Sequence, residues 1–391
     1  MGDVDFLRIH YRLRLARGES ARAKAAGIAR EQTVEIAPRI VPAEVEGRTI
    51  GRVARVAADG PGDRRVARAA IDYPWRELVS DLPQLLNLLF GNISMQRGIR
   101  VERIDWPGEL LARFPGPRFG VEGIRERLGV HDRPLLGAVL KPIGLSPAEL
   151  ARRAADCVLG GVDLLKDDHS LADQPAAPFR ERVLAVAELV RRAERRSGRR
   201  ALYFPNLTGP VDRLAERVED LREAGIEGAL VAPAILGLDV VRSLAASSGL
   251  ILLAHPSWSG TYVRPDHGLA ARVLFGDLFR LAGADIVNLP LPGGRFSLAN
   301  SEIAAAVAAL AAPFGGHRAA LPMLAGGIDE RRLRLWLPKA ARDTVFLVGG
   351  ALYRGDGLRE RASSCAKLVE GWQESRVSAP GGASVRASKR P

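Results

Sequence analysis

Gly160-Gly161-Val162-Asp163-Leu164-Leu165-Lys166-Asp167-Asp168-His169-Ser170 is the stretch whose reading decides the fold. A short apolar run, 162–165, ends abruptly in an amine, two carboxylates and an imidazole. Four ionisable groups in succession at the end of a buried-type strand describe a charged site. The ordinary alternative is a solvated helix start, with Asp167 or Asp168 as its cap. The company the stretch keeps along the chain separates the two.

From residue 133 onward one unit repeats: short apolar strand, turn, amphipathic helix. Strand-like runs at 135–140, 162–165, 201–204, 229–232, 250–254, 285–289, 320–324 and 345–348 are followed by helix-like runs at 148–159, 179–195, 211–224, 240–246, 268–281, 301–311, 331–341 and 358–372. Near-continuous apolar strands predict a parallel sheet covered on both faces. Eight such units in about 240 residues predict a (β/α)8 TIM barrel. Ahead of it, strands at 6–15, 33–36, 50–56, 66–71 and 99–105 mix with helices at 21–30 and 74–90. This predicts an α+β layer, with a hairpin around Asp59-Gly60-Pro61-Gly62. The Pro- and Gly-rich 107–120 reads as the connection. The expected organisation is an N-terminal α+β domain over 1–115, the barrel over 116–376 and a disordered tail over 377–391.

Composition narrows the function classes. The 57 basic and 45 acidic residues leave a net charge of +12, but the cations are dispersed beside Glu and Asp, which predicts no nucleic-acid partner. Two cysteines, Cys157 and Cys365, make no disulfide framework and fit a reducing compartment. No apolar run reaches membrane-span length and the N-terminus is acidic without an apolar core, so a cytoplasmic chain with no membrane partner is expected. Lysine is scarce: six residues, Lys24, Lys141, Lys166, Lys339, Lys367 and Lys389, against a surface otherwise charged by arginine. A lysine kept in such a chain marks a place that needs a compact, tunable amine.

In a barrel of this kind the active site forms where strands run into their following loops. The first strand ends in Lys141, the second in Lys166-Asp167-Asp168-His169, the third in Phe204-Pro205-Asn206, the fifth in His255. The seventh and eighth end in Gly326-Gly327 and Gly349-Gly350, whose backbone N–H groups can approach a phosphate. Each has an ordinary counterpart: a salt-bridge lysine, a satisfied core histidine, tight turns. All must coincide at one end of one barrel for the ordinary readings to hold together.

The chain resembles the large-subunit family of ribulose-bisphosphate carboxylase/oxygenase, in its non-carboxylating branch, the RuBisCO-like proteins. The resemblance spans 6 to about 375 and is carried by Lys141-Pro142-Ile143-Gly144-Leu145-Ser146, similar to K-P-K-L-G-L-S with one residue missing, and by the strand-2 stretch, similar to G-G-x-D-x-x-K-D-D-E. Gly91-Asn92, Glu31 and both glycine pairs match in order. The resemblance implies a ferredoxin-like N-terminal domain, an antiparallel homodimer or dimer of dimers, and Glu31 and Asn92 reaching the partner's site. It implies that Lys166 takes up CO2 as a carbamate and binds Mg²⁺ with the residues that follow, while Lys141 serves as acid or base. The implied catalytic set is Lys141, Lys166, His255, Asn92 and Glu31. The implied metal set is Lys166, Asp168 and His169, and the implied phosphate or substrate set is Gly326, Gly327, Gly349, Gly350 and Asn206.

Departures from the family pattern decide the expected function. The loop after the sixth strand, Leu291-Pro292-Gly293-Gly294-Arg295-Phe296, lacks the carboxylase's mobile lysine, and no lysine occurs between Lys166 and Lys339. Carboxylation is therefore not expected. Pro256 follows His255 where the family has arginine, so one phosphate site is altered while the glycine-lined one is kept, which points to a monophosphorylated keto substrate. His169 replaces the glutamate ligand and removes one negative charge; Mg²⁺ stays the expected ion with lowered affinity, and Mn²⁺ or Zn²⁺, which tolerate the nitrogen better, are the alternatives. A metal-free site with His169 as general base is the alternative. The expected activity is enolate formation on a small phosphorylated keto compound, as a decarboxylase or isomerase of a phosphorylated keto sugar acid or sugar. The alternatives are a methionine-salvage enolase or isomerase and a catalytically silent homologue with a binding role.

Overall fold

A computed structural model describes residues 6–58, 65–294, 296 and 298–373. The expected disordered tail and hairpin tip lie outside the described residues. The first layer is antiparallel: β1 (Leu7–Arg14), β2 (Arg52–Ala58), β3 (Val66–Tyr73) and β4 (Ile99–Asp105) lie in the order β4-β1-β3-β2. Strict alternation in β1 buries Leu7, Ile9, Tyr11 and Leu13 on one face. That face is covered by the helices Ala21–Glu31 and Leu82–Phe90, the second presenting Leu82, Leu85, Leu88 and Leu89 at helical spacing.

The barrel strands are β5 (Leu135–Leu140), β6 (Leu164–Asp167), β7 (Leu202–Phe204), β8 (Gly228–Val231), β9 (Ile251–Ala254), β11 (Ile286–Pro290), β12 (Leu321–Ala325) and β13 (Val345–Val348). They run parallel in the order β7-β6-β5-β13-β12-β11-β9-β8, and the Asn206–Leu230 bridge closes the ring between β7 and β8. The interior is packed, with Val139, Leu164, Phe204, Leu230, Leu253, Met323 and Leu347 among the side chains that fill it. Val121, Ile124 and Leu128 of the helix Gly120–Leu128 plug the end where the strands begin. Asp285 fastens that plug: its buried carboxylate accepts from the backbone N–H of Phe119 (2.7 Å), Gly120 (2.8 Å) and Leu252 (3.0 Å).

The strand-2 motif divides into parts with separate jobs. A Cβ on Gly160 would meet Ala362 at 2.5 Å, and Gly161 adopts φ +90° against Ala366, so the glycine pair lets the last helix, Leu358–Glu370, close onto the barrel. Asp163 pairs with both ends of the Arg133 guanidinium (2.8 and 2.9 Å) and accepts from Leu136 N, fixing the start of β6 beside β5.

Several sequence expectations are corrected. Residues 33–36 form no strand: the Thr33 hydroxyl donates back to the Ala29 carbonyl at 2.8 Å and prolongs the helix end into turns. The helix expected at 268–281 begins instead as β10 (Gly268–Leu269), which adds in parallel to β4, and continues as a π-helical turn over Arg272–Leu278. Gly268 at φ +98° sits so close to the Tyr262 carbonyl that no side chain fits, and periodicity does not report such an approach. Within 107–120, Gly108–Leu111 forms a helical turn; 74–90 splits into Trp75–Leu78 and Leu82–Phe90; 331–341 is a helix, Glu330–Trp336, ending in a 3-10 turn.

Replacing Asp285 by Ala strands three buried amide donors, and urea unfolding is expected to show a loss of roughly 2–5 kcal/mol. Asp285→Asn should lose less. Equal stability of Asp285→Ala and wild type would contradict the clamp.

Candidate active site

Side chains alternate along β6, so Lys166 and Asp168 face the barrel mouth while Asp167 points behind the sheet. Behind it, Asp167 is fully buried and accepts from Tyr203 Oη (2.7 Å), the backbone N–H of Asn206 (3.0 Å) and Arg182 Nε (3.2 Å). Arg182 comes from the buried stripe of the helix Phe179–Ser197 and donates also to the carbonyls of Ala177 and Ala172, both at 2.8 Å. One guanidinium thereby ties the strand end to the loop that follows it. Burial, and then the Asp167 charge, push the Tyr203 hydroxyl well above its ordinary pKa, so it stays protonated and donates.

In front, Lys166 is only 3% exposed and its Nζ donates to the Asp167 carbonyl at 2.8 Å. Burial pulls its pKa down to about 8 against the upward pull of Asp168 and Asp167. The Lys141 ammonium hydrogen-bonds Asp168, whose other oxygen lies 3.2 Å from His169 Nδ1. Burial works to raise the Asp168 pKa, but the Lys141 hydrogen bond and the Ser170 N–H outweigh it and hold the carboxylate below its ordinary value. The His169 ring lies flat on His255, centroids 4.6 Å apart and planes 4° apart. Burial, then the Lys166 charge, press the His255 pKa well below 6.5, so this imidazole is neutral. The Ser257 N–H points at its Nδ1 (3.2 Å), which makes Nδ1 an acceptor and leaves the proton on Nε2.

Lys141, Lys166, Asp168, His169 and His255 line one cavity of 1730 Å³ together with Gly326, Gly327, Gly349 and Gly350. Gly326 (φ +109°) and Gly327 (φ +71°) hold a backbone that side-chain-bearing residues rarely adopt, and the space where Cβ atoms of Gly349 and Gly350 would stand is open. Asn206 does not line the cavity: it is fully buried, its amide donating to the His169 carbonyl (2.9 Å) and its oxygen accepting from Thr208 N (3.0 Å). Glu31 and Asn92 lie outside the cavity of their own chain; Asn92 Nδ2 donates to Glu31 (3.4 Å) and Glu35 (3.1 Å).

The structure adds residues that sequence reading missed. Arg182 and Tyr203 support the corner, and a cation on an otherwise apolar helix stripe was the available signal for the first. Trp258 and Phe296 face the cavity; Trp258 is 66% exposed at φ +65°, and the Phe296 ring overlies Gly326. Nothing in a loop sequence announces either placement.

Among the described residues no cluster of three or more His, Cys, Asp and Glu side chains could hold a metal ion. An ammonium ligates nothing, so a divalent ion would need Lys166 as a carbamate, whose oxygens would join the Asp168 carboxylate and a His169 ring nitrogen. A buried amine with a pKa near 8 is suited to that conversion, since its neutral form is the one that takes up CO2.

A closed parallel barrel with a lysine-carboxylate corner at its mouth, preceded by an antiparallel α+β layer, defines the two-domain class built by RuBisCO large chains. Residues 120–296 match the ribulose bisphosphate carboxylase large chain, catalytic domain. The chain is 38% identical over 373 residues to the 5-methylthioribulose-1-phosphate isomerase of Rhodospirillum rubrum, covering 94% of this chain and 97% of that one. It is 34% identical over 296 residues to the 2,3-diketo-5-methylthiopentyl-1-phosphate enolase of Geobacillus kaustophilus, covering 74% and 72%. A Rubisco-like protein from Rhodopseudomonas palustris superposes with a TM-score of 0.85 at 36% identity, over 95% of this chain and all of that one. A dimeric archaeal Rubisco from Hyperthermus butylicus gives 0.84 at 26% identity, over 94% and 90%. The chain belongs to the ribulose bisphosphate carboxylase large-chain family, in its RuBisCO-like branch.

Because burial holds Lys166 near 8, its neutral fraction rises through that pH, whereas an ordinary lysine titrates near 10.4. Cyanate labelling followed by peptide mass spectrometry should show Lys166 half-modified at its limiting rate near pH 8. A midpoint close to that of ordinary amines would contradict the burial effect.

Proposed function

We propose that this chain is an enzyme that enolises a small phosphorylated ketose and returns the proton to a different carbon, an isomerase in effect. The observation that carries this reading is the convergence of Lys166, Asp168 and Lys141 in one cavity that the two glycine pairs also line. The names of the relatives, an isomerase and an enolase of methylthio-pentyl phosphates, support a substrate with one phosphate and one apolar end. Trp258 and Phe296 give the cavity wall a matching aromatic surface.

The glycine amides take the phosphate. His255 donates from Nε2 to a substrate oxygen, and Lys141, oriented by Asp168, moves the proton between neighbouring carbons. A divalent ion held by the Lys166 carbamate, Asp168 and His169, Mg²⁺ or the more nitrogen-tolerant Mn²⁺ or Zn²⁺, would supply a Lewis acid for charge developing on the oxygen. Retained proton-moving groups favour isomerisation over a decarboxylation, which needs only the electrophile. The loop that reads Gly293-Gly294 and then Phe296 offers no lysine to hold CO2, so carbon fixation is not part of this reading.

Glu31 and Asn92, paired with each other outside their own cavity, would complete the mouth of a partner in an antiparallel homodimer or dimer of dimers working in the cytoplasm. No helix among the described residues is long and apolar enough to cross a membrane.

With 5-methylthioribulose 1-phosphate, wild type is expected to give an isomerised product that carries deuterium from D2O, and Lys166→Ala is expected to lose this activity by at least about a thousandfold. Chelation should abolish it, and Mg²⁺ or Mn²⁺ with bicarbonate should restore it. Unimpaired turnover by Lys166→Ala would remove this lysine from the mechanism. Release of CO2 from β-keto sugar-acid phosphates without isomerisation would move the activity to a lyase, and inertness toward all of these would favour a binding role. Mixing inactive Lys166→Ala and Asn92→Ala subunits should restore about a quarter of the sites, since half of random dimers carry one intact site. No recovery would contradict the shared mouth.

A further inference from the structure

The strand that carries Lys141 loses one neighbour just before the lysine. β5 pairs with β13 from Leu135↔Val345 to Ala138↔Val348, and there the register ends. The Leu135 N–H donates to the Thr344 carbonyl (2.9 Å), which turns the odd-numbered residues of β5 toward β13. The Val139 carbonyl therefore faces β13 as well, and the next donor in that ladder would be the N–H of Gly350. The chain does not run on as a strand: Gly349 takes φ −106° and ψ −115°, and Gly350–Tyr353 winds into a 3-10 turn. Val139 is buried, so its carbonyl needs another donor.

Tyr353, at the far end of that turn, supplies it. Its Oη donates to the Val139 carbonyl at 2.6 Å. Two residues on, the Lys141 carbonyl accepts from Arg153 Nη1 at 3.0 Å. Arg153 belongs to the helix Pro147–Leu159, and its guanidinium lies over the Tyr353 ring, 5.3 Å from the centroid. Burial, then the neighbouring Cys157, push the Tyr353 hydroxyl well above its ordinary pKa, so it keeps the proton it donates. Phenol and guanidinium thus hold the two carbonyls on either side of Leu140, at the root of Lys141. The phenol is joined by its own turn to Gly349-Gly350. Neither side chain lines the cavity.

We propose that Tyr353 and Arg153 are positioning residues for the isomerisation, setting the Lys141 amine at a fixed span from the phosphate seat at Gly349-Gly350. This rests on the isomerase reading above. By standing in for the Gly350 N–H, the phenol lets the glycine backbone leave the sheet and line the cavity, and the same hydrogen bond fixes the strand end from which Lys141 projects. The enolate is anchored through its phosphate, so the span between anion seat and amine decides whether the proton reaches the neighbouring carbon or is lost to water.

Tyr353→Phe keeps the ring under Arg153 and removes one hydroxyl, while Arg153→Ala and Arg153→Lys address the second hold. With 5-methylthioribulose 1-phosphate in D2O, NMR reads two rates, wash-out of the substrate α-proton and formation of product. Inorganic phosphate as a competitive inhibitor reads the glycine seat by itself. Tyr353→Phe is expected to form product about tenfold or more slowly, to raise the ratio of wash-out to product several-fold, and to bind inorganic phosphate about threefold or more weakly. Arg153→Ala is expected to follow in rate and ratio, with partial recovery in Arg153→Lys. Near-UV circular dichroism shows that each variant is folded. Both rates falling together at an unchanged ratio overturns the proposal, because a merely structural support lowers the amount of working site without changing how the enolate partitions. A wild type inert toward this substrate sinks the isomerase reading and the proposal with it, whereas an active wild type matched by Tyr353→Phe sinks the proposal alone.

Discussion

The site depends on a buried ion pair that never meets the cavity. Asp167 and Arg182 are both fully excluded from water, a costly arrangement unless every polar valence is filled. Here Tyr203, the Asn206 N–H and the Ala172 and Ala177 carbonyls fill them. Because side chains alternate along a strand, locking Asp167 behind β6 obliges Lys166 and Asp168 to face the mouth. The same guanidinium holds the loop start, so the corner behaves as one unit.

Electrostatics at the mouth follow from that placement. Lys166 is pressed toward its neutral form by burial, while Asp168 is kept ionised by Lys141 and the Ser170 N–H. An amine that is easily neutral beside a carboxylate that is not is a pairing suited to building an oxygen-ligand set from CO2 and a lysine. His169 Nδ1 stands 3.2 Å from the Asp168 carboxylate, so the corner sets an imidazole nitrogen beside its oxygens. Its flat stacking on a neutral His255 gives it a fixed seat at the rim.

Much of this was legible in the chain itself. The barrel was readable because its strands are continuous apolar runs and its helices amphipathic, and the corner because Gly160, Gly161, Asp163, Lys166 and Asp168 each answer a separate steric or electrostatic need. Local irregularities were not readable. The β10 addition and the π-helical turn at Arg272–Leu278 lie where this segment joins the antiparallel first sheet through β4, a contact that no periodicity records. Asn206 has the composition of a ligand residue, yet lies under the loop and fastens it, because burial depends on how β7 is roofed rather than on residue type. Trp258 and Phe296 reach the cavity through backbone paths that composition does not encode.

The most direct test of the account changes Asp167, which touches neither substrate nor ion. Wash-out of the α-proton of 5-methylthioribulose 1-phosphate into D2O, followed by NMR, would compare wild type with Asp167→Asn after each is shown to be folded by near-UV circular dichroism. A corner that depends on this carboxylate predicts exchange slowed by about a hundredfold in the folded variant, the scale of a misplacement of roughly 1 Å. Exchange at the wild-type rate in Asp167→Asn would contradict it.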